Sequence, residues 1–146
     1  MTNFSKQAKE EVRNCWASLA RCYSAADKYC LKNLQNKIMD FATEAAGLTQ
    51  VFASGIQEFS KAGLRGCSMR MFLLQEMAYE QLPAKEGEEF VIEIGEEQSK
   101  LLTGPGYDAE DLVLACLNLS RAPYSIWPSH TNNCDWHVHK ESKKCL

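Results

Sequence analysis

Between Thr2 and Ala46 the chain carries neither glycine nor proline; the first glycine is Gly47 and the first proline Pro83. Nothing in that stretch obliges a helix to stop. Its apolar residues Val12, Trp16, Leu19, Tyr23, Ala26, Cys30, Leu34, Ile38, Phe41 and Ala45 advance by three or four positions at a time. The mean step of about 3.67 residues is the period of one helix face, and it keeps the stripe nearly straight instead of winding it into a left-handed coiled coil.

Length sets a conflict. A helix of about 44 residues would be about 66 Å long, whereas a compact domain of this size is roughly 40 Å across. Either the helix breaks, with Ser24 or Asp27 in Ser24-Ala25-Ala26-Asp27 capping a second helix, or the molecule is elongated. An elongated monomer would leave an apolar stripe in water, so that option calls for a partner or a homodimer. The unbroken stripe favours the long helix.

Gly47 reads as the stop of that helix. A second helix follows, with Leu48, Val51, Phe52, Ile56 and Phe59 on one face. Gly63-Leu64-Arg65-Gly66 is a break, and a third helix runs from about Cys67 to Leu82 before Pro83, with Phe72, Leu73, Met77 and Ala78 as its core. These two helices would pack back along the first as a hairpin. In Glu89–Ile94 the residues Phe90, Ile92 and Ile94 alternate with Val91 and Glu93, a short strand signal. After the Gly104-Pro105-Gly106 loop, Asp108 caps a helix to about Leu119. Glu110 and Asp111 suit its N-terminal dipole. Leu112, Val113, Leu114, Ala115, Cys116, Leu117 and Leu119 make it apolar nearly all round, so it belongs in the middle of the fold. The expected fold is mainly α: a helical hairpin or bundle with a very long N-terminal helix and a small β element near residues 89–94 and the C-terminus. It forms one domain over residues 1–146, with a hairpin in 1–82 and a small α+β part in 89–146.

The 146 residues carry a net charge of −3. That argues against a protein that grips nucleic acid by neutralising phosphates, and against a polybasic membrane-surface protein. No apolar run is long enough to span a bilayer, and the polar Met1–Glu11 stretch does not read as a signal peptide. The seven cysteines are an odd number. On a helix, Cys15, Cys22 and Cys30 are too far apart for disulfides. The expectation is a cytoplasmic protein with reduced thiols, mostly small buried hydrophobes.

Chemistry concentrates near the C-terminus. His130, His137 and His139 are the only histidines, and Cys134 and Cys145 flank the last two. Cys134, His137, His139 and Cys145 form Cys-x2-His-x-His-x5-Cys, a donor set able to complete the tetrahedral shell of a structural zinc. If 135–139 is extended, Trp136 and Val138 point away from the histidines and can cover Phe90, Ile92 and Ile94 in a small sheet. Earlier in the chain, Asn14-Cys15-Trp16 resembles the nucleophile neighbourhood of papain-like cysteine proteases, including small viral leader proteases. The resemblance implies a small cysteine-dependent hydrolase with Cys15 as nucleophile and His137 or His139 as its base, in the family's Cys-then-His order. Cys15 itself lies about three turns into the helical pattern.

Two further features suit protein binding. Met69, Met71 and Met77 could line an adaptable groove. Glu86, Glu88, Glu89, Glu93, Glu96 and Glu97 place six carboxylates within twelve residues, an acidic patch fit for a basic partner. No phosphate loop, dinucleotide fingerprint or nucleophile elbow occurs. The leading expectation is a non-enzymatic regulator, adaptor or inhibitor that binds another protein by occlusion or scaffolding, through helix faces and the acidic patch. The alternatives are the Cys15 hydrolase and a zinc-stabilised nucleic-acid module using Lys140, Lys143 and Lys144.

Overall fold

The computed structural model describes residues 6–81, 95–104, 106–121 and 136–137. Six helices account for most of them: α1 (Lys6–Lys28), α2 (Lys32–Leu48), α3 (Ala53–Lys61), α4 (Ser68–Gln81), α5 (Glu96–Thr103) and α6 (Asp108–Arg121). No strand occurs among the described residues. The strand expected at 89–94 lies outside them.

The single long helix is not formed. It breaks at Tyr29-Cys30-Leu31, a few residues beyond the Ser24–Asp27 position favoured by capping chemistry. Cys30 takes a left-handed φ of 58°. Around it the Leu31 N–H bonds to the Ala26 carbonyl at 2.8 Å and the Cys30 N–H to the Asp27 carbonyl at 3.1 Å. This paired pattern is a Schellman ending. The same closure ends α3, where Leu64 N–H meets Phe59 O, Gly63 N–H meets Ser60 O, and Gly63 has a φ of 74°. One ending uses glycine and the other a cysteine, which is why the first left no glycine signal.

The break shifts the buried face. On α1 the inward residues are Trp16, Ala17, Ala20, Tyr23 and Ala26; on α2 they are Gln35, Ile38, Met39, Ala42 and Thr43. Leu34 and Phe41, which continue the stripe in sequence, are exposed on α2. The unbroken stripe was therefore two faces joined by coincidence of spacing, and with it goes the elongated molecule it implied. Gly47 does not stop α2; the helix runs one residue further, and Thr49 closes it by donating its N–H to the Ala45 carbonyl. Leu48 is exposed, and Val51 and Phe52 enter the core from a loop.

One core cluster takes residues from all six helices, with Trp16, Tyr23, Met39, Ile56, Phe59, Phe72, Leu73, Met77, Leu101 and Leu112 among them. The most extensive helix packing is between α1 and α3. A side chain at Gly55 would meet Leu73 Cδ1 at 3.2 Å and the Trp16 carbonyl at 3.4 Å, so glycine here lets α3 lie against α1 and α4 without displacing the Leu73 side chain. Trp16 donates its indole N–H to the Gln50 carbonyl at 3.1 Å and ties α1 to the loop before α3. α4 matches the span expected from about Cys67 to Leu82, and its Phe72, Leu73, Met77 and Ala78 are all buried. α6 begins at Asp108 as expected but is not central: Leu112 is buried, while Val113, Leu114 and Leu117 are exposed. It packs one face against α4 and α5 at the edge of the bundle. α5 carried no recognised signal in sequence; it turns Glu97, Gln98 and Leu101 inward. Trp136, expected over a sheet, instead packs edge-on against the Phe72 ring of α4 at 5.2 Å.

A non-glycine residue in the left-handed region costs roughly 1–2 kcal/mol, of which glycine's extra freedom in the unfolded chain gives back about half. Cys30→Gly is therefore expected to raise the unfolding free energy by about 0.5–1 kcal/mol, and Gly63→Ala to lower it by about 1 kcal/mol, in urea titrations. A Cys30→Gly protein less stable than the parent would contradict this account of the break.

Candidate interaction surfaces and the buried charge network

The helix faces are set by a charge network at the start of α4 and α6. Arg70, in the first turn of α4, is fully buried. Its Nη2 lies 2.8 Å from Asp108 Oδ1, and its Nη1 lies 2.7 Å from Asp111 Oδ2 and 2.8 Å from the Arg65 carbonyl. Asp108 also accepts from the Ser60 hydroxyl at the end of α3. Asp108 thus serves Arg70 and Ser60 from inside the fold, beyond the capping role its position suggests. Arg65 grips the other side of Asp111 with two bonds, at 3.0 and 2.7 Å, and lies 4.1 Å over the Tyr107 ring. Bonds from Arg65 first, and then from Arg70, hold the Asp111 carboxyl below the usual carboxylate range despite the desolvation that opposes them.

Beside this network the facing sides of α4 and α6 leave a groove of about 470 Å3. Leu74, Ala115, Met71 and Leu114 supply its apolar surface, Gln75 and Asn118 mark one end, and Arg65 with Asp111 marks the other. Of the three methionines singled out in sequence, Met69 and Met77 fill the core, whereas Met71 is exposed on the groove.

A second, distinct electrostatic feature lies between α4 and α5. Glu76 and Glu80 stand one turn apart on α4, and Glu76 is buried. Burial, and next the nearby Glu76 carboxylate, push the Glu80 carboxyl up to about 8, against a Val51 N–H that favours its charged form. Gln98 Nε2 approaches Glu80 at 3.5 Å. Glu97 is also turned inward: it accepts the Ala53 N–H at 2.9 Å, where α3 begins, and Lys100 Nζ at 3.0 Å. It serves as an internal helix cap, so of the expected acidic patch only Glu96 is a described surface group. Glu86, Glu88, Glu89 and Glu93 lie outside the described residues.

Of the expected catalytic residues, Cys15 and His137 are described, and His139 lies outside the described residues. Cys15 is exposed on the outer side of α1, and the group at His137 Nε2 is Asp40 of α2, at 2.5 Å. Cys22 of α1 and Cys30 in the break after it are exposed too, so the expectation of mostly buried thiols fails in this part of the chain; the inward face of α1 passes through Trp16 and Tyr23. Burial pushes the Cys67 thiol up to about 11 and raises that of Cys116, leaving both poor nucleophiles. Of the four expected zinc ligands, His137 is described; Cys134, His139 and Cys145 lie outside the described residues, as do His130 and the C-terminal lysines. Among the described residues no three metal-donor side chains converge, and no helix is long and apolar enough to cross a membrane.

A carboxyl whose folded pKa is raised stabilises the protein fully below its unfolded value near 4.5, and that contribution is lost as pH rises through about 8. Glu80→Gln should therefore be close to the parent in stability at pH 5 and clearly more stable at pH 8.5. Urea midpoints at the two values measure the difference. An equal effect at both would remove Glu80 as a titrating buried group.

Comparison with protein-family models, with curated proteins and with solved structures finds no match to this chain.

Proposed function

We propose that the protein is a non-enzymatic protein-binding regulator or adaptor that holds an amphipathic segment of another protein in the groove between α4 and α6. The observation that carries this reading is the groove itself. Its volume lies within the range of binding pockets, and its apolar surface joins exposed Met71 and Leu114 to buried Leu74. A partner helix laid in such a groove is held by apolar side chains at i, i+3, i+4 and i+7. The Met71 thioether adapts to the shape it meets, while Gln75, Asn118 and Arg65 supply hydrogen-bond donors that fix the register. Occlusion of the bound segment, or its presentation to a third molecule, is then the mechanism.

The test uses the exposure of both rim residues, which lets them change without loss of the fold. A photo-crosslinking amino acid in place of Met71 should capture a discrete protein in cells, and the same group in place of Lys9 on α1 should not. Adding Leu114→Glu should reduce the Met71 adduct at least about tenfold, the effect of losing a contact worth about 1.4 kcal/mol. An adduct undiminished by Leu114→Glu, or none at all from Met71, overturns the groove as the binding site.

A second reading, a structural zinc held by Cys134, His137, His139 and Cys145, draws support from Asp40. A metal-bound histidine commonly hands its other ring N–H to a carboxylate, which fixes the ring, and Asp40 Oδ1 lies 2.5 Å from His137 Nε2. Native mass spectrometry should then find one zinc per chain, absent from Cys134→Ser and held roughly 10–100-fold more weakly by Asp40→Asn. A parent chain that takes up no zinc ends this reading.

A further inference from the structure

α2 carries two apolar faces, only one of which enters the core formed by the described residues. Ile38, Met39 and Ala42 enter the core. Leu34, Phe41 and Leu48, spaced by seven, form a line along the flank of that face and are 45%, 54% and 80% exposed. Leu48 is the most exposed of the large apolar side chains among the described residues. At the other end of the line lies a concavity of about 410 Å3, lined by Cys30, Leu31, Lys32, Asn33, Leu34 and Lys37. The helix thus presents a knob at its C-terminal end and a hole at its N-terminal end, two heptads or roughly 21 Å apart.

The charges beside the line are ordered as well. Lys37 and Glu44 are both exposed on the same side of it, one heptad apart. Asp40, which holds His137, is on a different face, about 100° around the helix from Phe41.

We infer that α2 is a self-association surface, on which two copies of the chain pair with their α2 helices antiparallel about a two-fold axis at Phe41. The axis sets Phe41 against its own counterpart and brings Leu48 of each copy into the concavity at Leu31 and Leu34 of the other. It also places Lys37 beside the second copy's Glu44, and Glu44 beside the second copy's Lys37. A two-fold interface must be self-complementary in this sense, and flanking charges of opposite sign are what select orientation between paired helices. Parallel pairing would leave each Leu48 without a hole and set like charges level with one another. The second copy is thus the occupant that both the shape and the charge of this face fit. The contact covers a single 17-residue helix, small beside the ~1,200 Å2 of stable complexes, so the dimer is a weak one. It shares no residue with the groove between α4 and α6 and holds or fails independently of it.

Sedimentation velocity on the full chain under reducing conditions, from about 1 to 500 µM, tests the pairing at the concentrations such an affinity implies. The parent should shift from monomer to dimer across that range. Phe41→Glu should remain monomeric with unchanged helix content by circular dichroism, because it sets two carboxylates together on the axis. Lys37→Glu and Glu44→Lys should each weaken the dimer about tenfold, and the two together should restore it to within about threefold of the parent, since the exchanged charges again meet across the axis. A parent that stays monomeric throughout overturns the proposal, whatever else covers the stripe. So does a dimer that survives Phe41→Glu, or a double exchange no better than either single one.

Discussion

The arrangement of α4 and α6 depends on one buried cation. Arg70 has no contact with water, and an uncompensated charge in that position would cost several kcal/mol. The chain compensates it from two directions. Asp108 and Asp111, three residues apart, bring two carboxylates to one face of α6, and Arg65 bends its own carbonyl back onto the guanidinium. Each contact demands a particular placement: the first turn of α6 must begin beside the first turn of α4, and the loop of residues 62–67 must fold over both. Removing one partner from such a cluster typically costs about 3–5 kcal/mol, although replacing the whole cluster by apolar groups often costs nothing. Its main consequence is geometric. It sets the relative position of α4 and α6, and hence the width of the groove between them.

The same carboxylates suit α6 as a helix. Asp108, Glu110 and Asp111 occupy its first turn, where the dipole favours negative charge. Arg70 is the reverse case, a cation in the first turn of α4, where the dipole opposes it. Asp108 and Asp111 therefore offset an unfavourable local placement as well as a desolvation cost. This explains how a fold with only modest groove walls can keep them at a fixed separation.

What the sequence made legible follows from how local each determinant is. α4 lies between a glycine-rich break and Pro83, and α6 follows a Gly-Pro-Gly turn into three acidic residues; both were read nearly to their observed bounds because these signals act within a few residues. The break after α1 was not readable, because its left-handed position is filled by Cys30, whose strain must be offset by packing elsewhere. The buried face was then misassigned on α2, since a helix with Leu34, Phe41 and Leu48 beside Ile38, Met39 and Ala42 offers two apolar faces and the sequence does not say which meets the core; α6, apolar nearly all round, was placed too deep for the same reason. Charged residues that turned inward, Arg70, Glu76 and Glu97, were equally hidden. A buried charge is permitted only by partners distant in sequence: Asp108 for Arg70, the Ala53 N–H for Glu97. The Glu96-Glu97 pair ahead of Leu101 did contain the signal of a helix start, masked by its continuity with the acidic run before it. Asp40 beside His137 is the extreme case, a contact between residues nearly a hundred positions apart.

The two apolar surfaces differ in kind, and that difference bears on how the molecule would work. The groove between α4 and α6 is concave, walled by two helices and edged by an immobilised ion cluster, a form suited to gripping a narrow segment of another chain. The α2 stripe is a single convex ridge with a hole at one end, which no narrow segment fills but which a second identical ridge does. Because they share no residue, pairing through α2 would leave both grooves of a dimer open. A partner carrying two copies of the bound segment would then meet the second groove at a high effective concentration, and its apparent affinity would rise by roughly 10²–10⁴-fold without any new contact. A weak dimer suffices for this, since the doubly bound partner itself holds the two chains together. The exposed ridge would thus convert a modest groove into a binding site whose strength depends on how much of the protein is present.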